Sequence, residues 1–160
     1  YPGQVLWEGT NISEGRGTTL PFELFGAPFV DHRAVQGALR PADLAGCCLR
    51  PLWFEPTSGK WGGRTCGGFQ IHVIDTDLFR PYRTSLALLQ ALRILYPEGF
   101  AYKAPPYEYE FERLPMDLLI GDRKVREGLE SGLPVADLEA AWQDELADYR
   151  QRCSPLFLYD

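Results

Sequence analysis

Residues 81–96 carry the clearest helical pattern of the chain. Leu86, Leu89, Leu92 and the pair Ile94–Leu95 recur at the spacing of one helix face. Pro81 suits a first helical turn, and Pro97 and Gly99 end the run. Phe69 to Val73 alternates instead. Phe69, Ile71 and Val73 face one way and Gln70 and His72 the other, which predicts a half-buried strand. Cys47 to Phe54 predicts a second strand. Pro51 within it demands an edge position or a bulge, because proline has no N–H to give a neighbouring strand. Gln4 to Trp7 and Phe22 to Phe25 read as shorter extended pieces, the second stopped by Gly26 and Pro28.

Asp31 is placed to cap a helix over 32–39, with Pro41 ending it. Met116 to Ile120 suits one helical turn, and Asp122 caps a helix to Glu130 that Gly132 closes. Val135 to Arg150 is amphipathic: Leu138, Trp142, Leu146 and Tyr149 share a face and read as core. Ala104 to Glu112 is a loop or extended, and Leu156 to Tyr159 reads as a closing strand. Strands come first and helices follow. The predicted class is therefore α+β, with a small mixed or antiparallel sheet packed against several helices in a single compact domain.

One segment obeys neither period. Glu8-Gly-Thr-Asn-Ile-Ser-Glu-Gly-Arg-Gly-Thr18 holds three glycines, two carboxylates and one arginine, and has little to bury. An ordered loop of this kind needs a reason other than its own packing. Loops on a rigid scaffold are where binding and catalytic groups concentrate. A flexible glycine-rich connection is the plain alternative.

Composition narrows the classes. The chain has 160 residues, one domain long enough to bury a core. Its net charge is −6, and its thirteen arginines and three lysines form no basic cluster, which disfavours nucleic acid. No apolar run approaches the length of a membrane span, and no leader is visible. Cys47, Cys48, Cys66 and Cys153 form no Cys-x-x-Cys pair and there are two histidines, which argues against a zinc site. Cys47 and Cys48 would point to opposite faces of a strand, and the thiols read as reduced and partly buried. A disulfide from Cys66 or Cys153 would require an exported protein. There is no P-loop, no dinucleotide glycine fingerprint and no nucleophile elbow, so no cofactor is expected.

A series of motifs runs through nearly the whole chain in order. It begins with Leu6-Trp-Glu-Gly-Thr-Asn-Ile-Ser-Glu-Gly-Arg-Gly-Thr18, Pro21-Phe22-Glu23 and Gly26-Ala27-Pro28-Phe29. It continues with Phe54-x-Pro-Thr-Ser58, Cys66-Gly67-Gly68, Gln70-Ile-His-Val73, Phe79-Arg-Pro81 and Leu86-Ala-Leu-Leu-Gln-Ala-Leu92. Trp142 and Pro155-Leu-Phe-Leu-Tyr159 close it. Together these resemble a bacterial family first catalogued as a domain of unknown function and associated with the exo-β-N-acetylmuramidase NamZ. The resemblance implies a cell-wall glycosidase that removes N-acetylmuramic acid from the non-reducing end of peptidoglycan fragments. It also implies a Rossmann-like amino-terminal domain ahead of this one. Residues 1–160 then form the C-terminal domain of a two-domain protein, with that domain and muramic acid saccharides as partners. A periplasmic or secreted bacterial location goes with it. A non-catalytic carbohydrate-binding domain, or one that stabilises or dimerises the enzyme, fits the same residues.

Glycoside hydrolysis uses two carboxyl groups. Glu8, at the end of an apolar run and among glycines, is the candidate catalytic carboxylate, or else a ligand to sugar hydroxyls; the second carboxylate falls to the other domain. Asn11 and Thr18 offer hydrogen bonds to sugar hydroxyls or an N-acetyl group, and can equally shape the loop, as Ser13 and Thr10 do. N-acetylmuramic acid differs from N-acetylglucosamine by a lactyl ether bearing a carboxylate. Arg16 offers it a planar fork; a salt bridge to Glu14, Glu23 or Asp31 is the alternative. Lys60 is a further substrate-binding candidate, in a glycine-rich loop where Trp61 can stack on a sugar or pack on its own loop. His72 lies near Asp75, a couple able to tune an acid or base. Tyr107 and Tyr109 are lesser candidates.

Overall fold

The computed structural model describes residues 1–158. At its centre is an antiparallel sheet of β1 (Leu24–Ala27), β2 (Cys47–Phe54) and β3 (Cys66–Val73), in the order β1-β3-β2. Gly26 lies opposite Gly68, and a Cβ on Gly68 would overlap the Phe25 carbonyl oxygen. Glycine is what lets β1 approach the middle strand so closely. Pro51 lies on β2, which has a free edge, as its lack of an N–H requires. Cys47 is buried and Cys48 exposed, on opposite faces, and all four cysteines are free thiols.

Around the sheet lie α1 (His32–Ala38), α2 (Pro81–Leu95), α3 (Pro115–Ile120), α4 (Arg123–Glu130), α5 (Val135–Ala141) and α6 (Gln143–Cys153). Asp31 caps α1 by accepting from the Ala34 N–H at 2.8 Å, and Asp122 caps α4 from Lys124 at 2.7 Å. Leu86, Leu88, Leu89 and Leu92 are all buried, so α2 is enclosed on more than one side. The α+β expectation holds, with a purely antiparallel sheet.

Several local expectations are corrected. Gln4 to Trp7 is not a strand; Gln4–Gly9 is a 3-10 turn. Gln4 is buried, and so are the neighbours Leu6 and Trp7, which alternation in a strand cannot place on one side. The turn is seated on α2 by buried polar bonds: Trp7 Nε1 donates to Gln4 Oε1, and Gln4 Nε2 to Ser85 Oγ, each at 2.8 Å. Phe22 has a left-handed φ of 65° and belongs to a turn, so β1 starts after it and runs on through Gly26. The helix expected over 135–150 breaks at Trp142 (φ −104°, ψ 2°) into α5 and α6. Leu138 is core and Trp142 packs edge-on against Tyr82, but Leu146 is half-buried and Tyr149 is 58% exposed. That stripe is therefore core at one end only. Residues 154–156 form a 3-10 turn and Phe157 and Leu158 are exposed, so no closing strand begins at Leu156; Tyr159 lies outside the described residues.

The part of the core that matters for the site is aromatic. Trp7 stacks on Phe25 at 5.2 Å between ring centroids, and Phe25 on Phe69 at 5.7 Å. All three are fully buried. The 3-10 turn is thereby fixed to both the sheet and α2.

Candidate functional site

Trp7 sets the position of Glu8. With Trp7 locked in the aromatic stack, the next side chain turns outward. Gly9 then packs on α3, where a Cβ would lie 3.0 Å from Met116 and Leu119. Glu8 points into a cleft of about 310 Å³ lined also by Glu14, Arg16, Lys60, Lys103, Tyr107 and Glu108. Both its oxygens are engaged. Arg16 Nη2 donates to Oε1 at 2.6 Å, and the Tyr107 hydroxyl donates to Oε2 at 2.7 Å. A larger cavity of about 510 Å³, between α2 and residues 100–102, gathers none of the residues of the Glu8–Thr18 loop.

The floor of the cleft is a buried ion pair. Glu14 is 4% exposed. Lys60 Nζ donates to Glu14 Oε2 at 2.8 Å, to Trp7 O at 2.6 Å and to Ile12 O at 3.0 Å. An ammonium has three donors, so Lys60 has none left for a sugar. It holds the loop. Arg16 Nε lies 3.3 Å from the other Glu14 oxygen, so Glu14 sits between two cations. Arg16 also lies over the Phe22 ring at 5.0 Å.

Glu8, Arg16 and Lys60, with the lesser candidate Tyr107, thus come together in the cleft, and Asn11, Thr18, Trp61 and His72 stand elsewhere. Asn11 Nδ2 donates to Gly99 O at 2.7 Å and its Oδ1 accepts from Ala101 N at 3.0 Å, which ties the loop to residues 99–101. Thr18 Oγ1 donates to Gly15 O at 2.6 Å and accepts from Leu20 N at 3.1 Å, closing a turn. Trp61 Nε1 donates to Asn11 O at 2.6 Å, so this aromatic packs on the loop rather than offering its edge to solvent. His72 is exposed on β3 and does not line the cleft; its Nε2 accepts from Arg50 Nε at 3.3 Å. The expected couple with Asp75 is absent, because Asp75 Oδ1 accepts from the Asp77 and Leu78 N–H groups in a turn.

Lys103 and Glu108 are the cleft residues that the sequence reading missed, and Tyr107 is the one it ranked low. They arrive through a backbone junction. Lys103 N donates to Gly9 O at 2.9 Å, and Thr10 bridges to Tyr102. No local signal in a segment of Tyr, Pro and Glu announces a pairing with residues so far back in the chain.

The electrostatics follow from these contacts. Burial pushes the Glu8 carboxyl up, but the hydrogen bonds from Arg16 and Tyr107 and the charges of Arg16 and Lys60 outweigh it and hold it below its ordinary value. Glu8 is therefore a carboxylate at neutral pH, equipped to accept. Burial and the bond to that carboxylate push the Tyr107 phenol upward, so it stays a donor. Burial lowers the Lys60 ammonium against the pull of Glu14 and Glu8. Among the described residues, no group of His, Cys, Asp and Glu is gathered that could hold a metal ion.

Comparison with known proteins meets this geometry. The family model described as exo-β-N-acetylmuramidase NamZ, C-terminal, matches residues 1–159. The chain belongs to the NamZ C-terminal family. The peptidoglycan β-N-acetylmuramidase NamZ of Bacillus subtilis (strain 168) is 35% identical over 159 residues, 99% of this chain and 36% of that protein. The NamZ-type chain here thus spans little more than a third of the curated relative it matches. Two crystal structures of DUF1343 family proteins from Bacteroides fragilis share the fold over 100% of this chain. One has a TM-score of 0.82 at 22% identity, covering 41% of that protein; the other has 0.58 at 23%, covering 40%.

Proposed function

We propose that this chain forms one wall of the sugar-binding cleft of a peptidoglycan exo-β-N-acetylmuramidase, and that a Rossmann-like amino-terminal domain forms the other. The observation that carries this reading is the ionised Glu8, held at both oxygens by Arg16 and Tyr107 in a polar cleft, in a chain of the NamZ C-terminal family. A glycosidase needs one carboxyl group to protonate the leaving oxygen and one carboxylate to act as base or nucleophile. Glu8, depressed in pKa, suits the second role or that of acceptor for a sugar hydroxyl. The proton donor then belongs to the amino-terminal domain. Arg16 orients Glu8, Lys60 holds the floor, and Asn11 and Thr18 give the loop its shape. His72 has no part in the cleft. The substrate is a peptidoglycan fragment ending in N-acetylmuramic acid.

The test is release of N-acetylmuramic acid from a chromogenic muramide. The two-domain protein turns it over, and this chain alone gives little or none, because the cleft needs both walls. In the two-domain protein, Glu8→Gln lowers kcat roughly a hundredfold or more if Glu8 takes a proton or attacks. A loss confined to KM would make it a hydroxyl ligand. Comparable turnover by the chain alone would refute the shared cleft.

A further inference from the structure

The three cations of the cleft differ in what they already hold. Arg16 is engaged by Glu8 at 2.6 Å and by Glu14 at 3.3 Å. Lys60 has its three donors on Glu14 and two backbone carbonyls. Lys60 could receive a ligand anion only by abandoning the buried Glu14, which is strongly unfavourable. Arg16 keeps N–H groups free, but its charge is already shared by two carboxylates that would repel a further anion. Lys103 is exposed, lines the same cleft and forms no ion pair among the described residues.

Its position is nonetheless set. The Lys103 N–H donates to Gly9 O, directly beyond Glu8, and Tyr102 bridges to Thr10. Its ammonium lies 5.4 Å from the centroid of the Tyr107 ring, whose hydroxyl donates to Glu8. The Tyr107 phenol therefore lies between the ionised Glu8 and the Lys103 ammonium. Glu8 and Lys103 line one cleft, so a sugar seated there can reach both.

We propose that Lys103 is the specificity-determining cation that receives the carboxylate of the lactyl ether of N-acetylmuramic acid. The assignment rests on the muramidase reading above. It moves selectivity away from Arg16, whose guanidinium instead fixes Glu8. Glu108 lines the same cleft and forms no ion pair among the described residues. Its carboxylate opposes a ligand anion and weakens the preference that Lys103 confers.

The experiment is an amide-detected NMR titration of the 160-residue chain with N-acetylmuramic acid, with its neutral lactyl amide, and with N-acetylglucosamine. The acid binds about three- to tenfold more tightly than the amide, the range of an exposed charge-assisted contact. Lys103→Met brings the acid to the level of the amide and leaves the two neutral ligands unchanged. Lys103→Arg keeps the preference, and Glu108→Gln strengthens binding of the acid alone. The backbone bond of Lys103 survives each substitution. If Lys103→Met keeps the preference for the acid, Lys103 is not the receptor and the muramidase reading still stands. Equal binding of acid and amide by the unsubstituted chain, or shifts on binding that fall away from the amides of 103–108, also overturns the proposal. Hydrolysis of the glycosidic bond of the chromogenic muramide as its neutral lactyl amide, by the two-domain protein, then decides the muramidase reading separately, since that reaction does not draw on the charge of Lys103.

Discussion

The loop from Glu8 to Thr18 contains a single large apolar side chain, Ile12, and yet it buries Gly9, Thr10, Ile12, Ser13, Glu14 and Gly15. Helix α6 contains Leu146 and Tyr149 at helical spacing and buries no residue. The two regions owe their order to different terms. In the loop, polar groups taken from water find partners inside the protein. Lys60 closes three acceptors, Asn11 two backbone groups, and Ser13 exchanges backbone bonds with Gly26. In α6, helix-forming residues satisfy the backbone locally, and the charges at its ends suit the helix dipole, with Asp144 and Glu145 first and Arg150 and Arg152 last. A loop of the first kind holds a carboxylate in a fixed place and is vulnerable at every partner. A helix of the second kind is robust and holds nothing.

Lys60→Met breaks the comparison most severely. Methionine keeps the stem and removes all three donors, leaving Glu14, Trp7 O and Ile12 O without that partner. Removing one member of a buried pair costs about 3–5 kcal/mol, and the exposed quarter of the Lys60 side chain (25%) brings the expected loss to about 2–3 kcal/mol. Urea unfolding at neutral pH measures it through a lower midpoint at unchanged slope. Amide exchange should quicken first at residues 12–16. A loss below about 1 kcal/mol would show that backbone bonds alone hold the loop.

The same contrast explains what the sequence made legible. β2, α1, α2 and α4, and the Phe69–Val73 part of β3, follow from alternation, helical spacing and the caps at Asp31 and Asp122, because those signals are local. β3 starts earlier, at Cys66, and buries Gln70 while Val73 is exposed, against the alternation. The candidate loop was visible from its lack of anything to bury, and Glu8, Arg16 and Lys60 were visible as charges among glycines. The contacts between them were not. Lys60 meets Glu14 across 46 residues and Tyr107 meets Glu8 across 99, so nothing in either neighbourhood encodes the pairing. Gln4 to Trp7 was misread because four residues cannot separate one turn of helix from a strand. The stripe ending at Tyr149 was misread because an apolar face records a capacity for burial, and a partner element must also be present.

Tyr107→Phe sharpens the comparison within the loop by removing one hydroxyl and keeping the ring. The hydroxyl donates to the ionised form of Glu8, so its removal disfavours that form and moves the Glu8 pKa upward. The sign for stability follows. A carboxyl whose folded pKa is depressed contributes stability that is present above its unfolded pKa, ordinarily 4.5, and lost as pH falls through the folded value. The substitution should therefore cost about 0.5–1.5 kcal/mol at neutral pH and progressively less in acid. Carbon-detected NMR of the glutamate carboxyl groups follows the titration directly. On the muramidase reading proposed above, the acid limb of kcat/KM should move to higher pH with it. A Glu8 titration that stays in place would leave Arg16 as the group that keeps this carboxylate charged.

Tyr149→Ala in α6 should have the smallest effect, within about 0.5 kcal/mol by urea unfolding, as for surface positions away from special features. The side chain is 58% exposed and its helix is anchored at Trp142 instead, where the indole meets Tyr82 edge-on at 5.7 Å. Removing it leaves no cavity, because no other element of the described residues closes over it. The result depends on what else is present. In this chain alone the loss stays small if α6 is held by its own backbone and by the junction at Trp142. If Tyr149→Ala costs as much as Lys60→Met, α6 packs in solution against something that buries this face, and the contrast between a loop ordered by its partners and a helix ordered by itself does not hold.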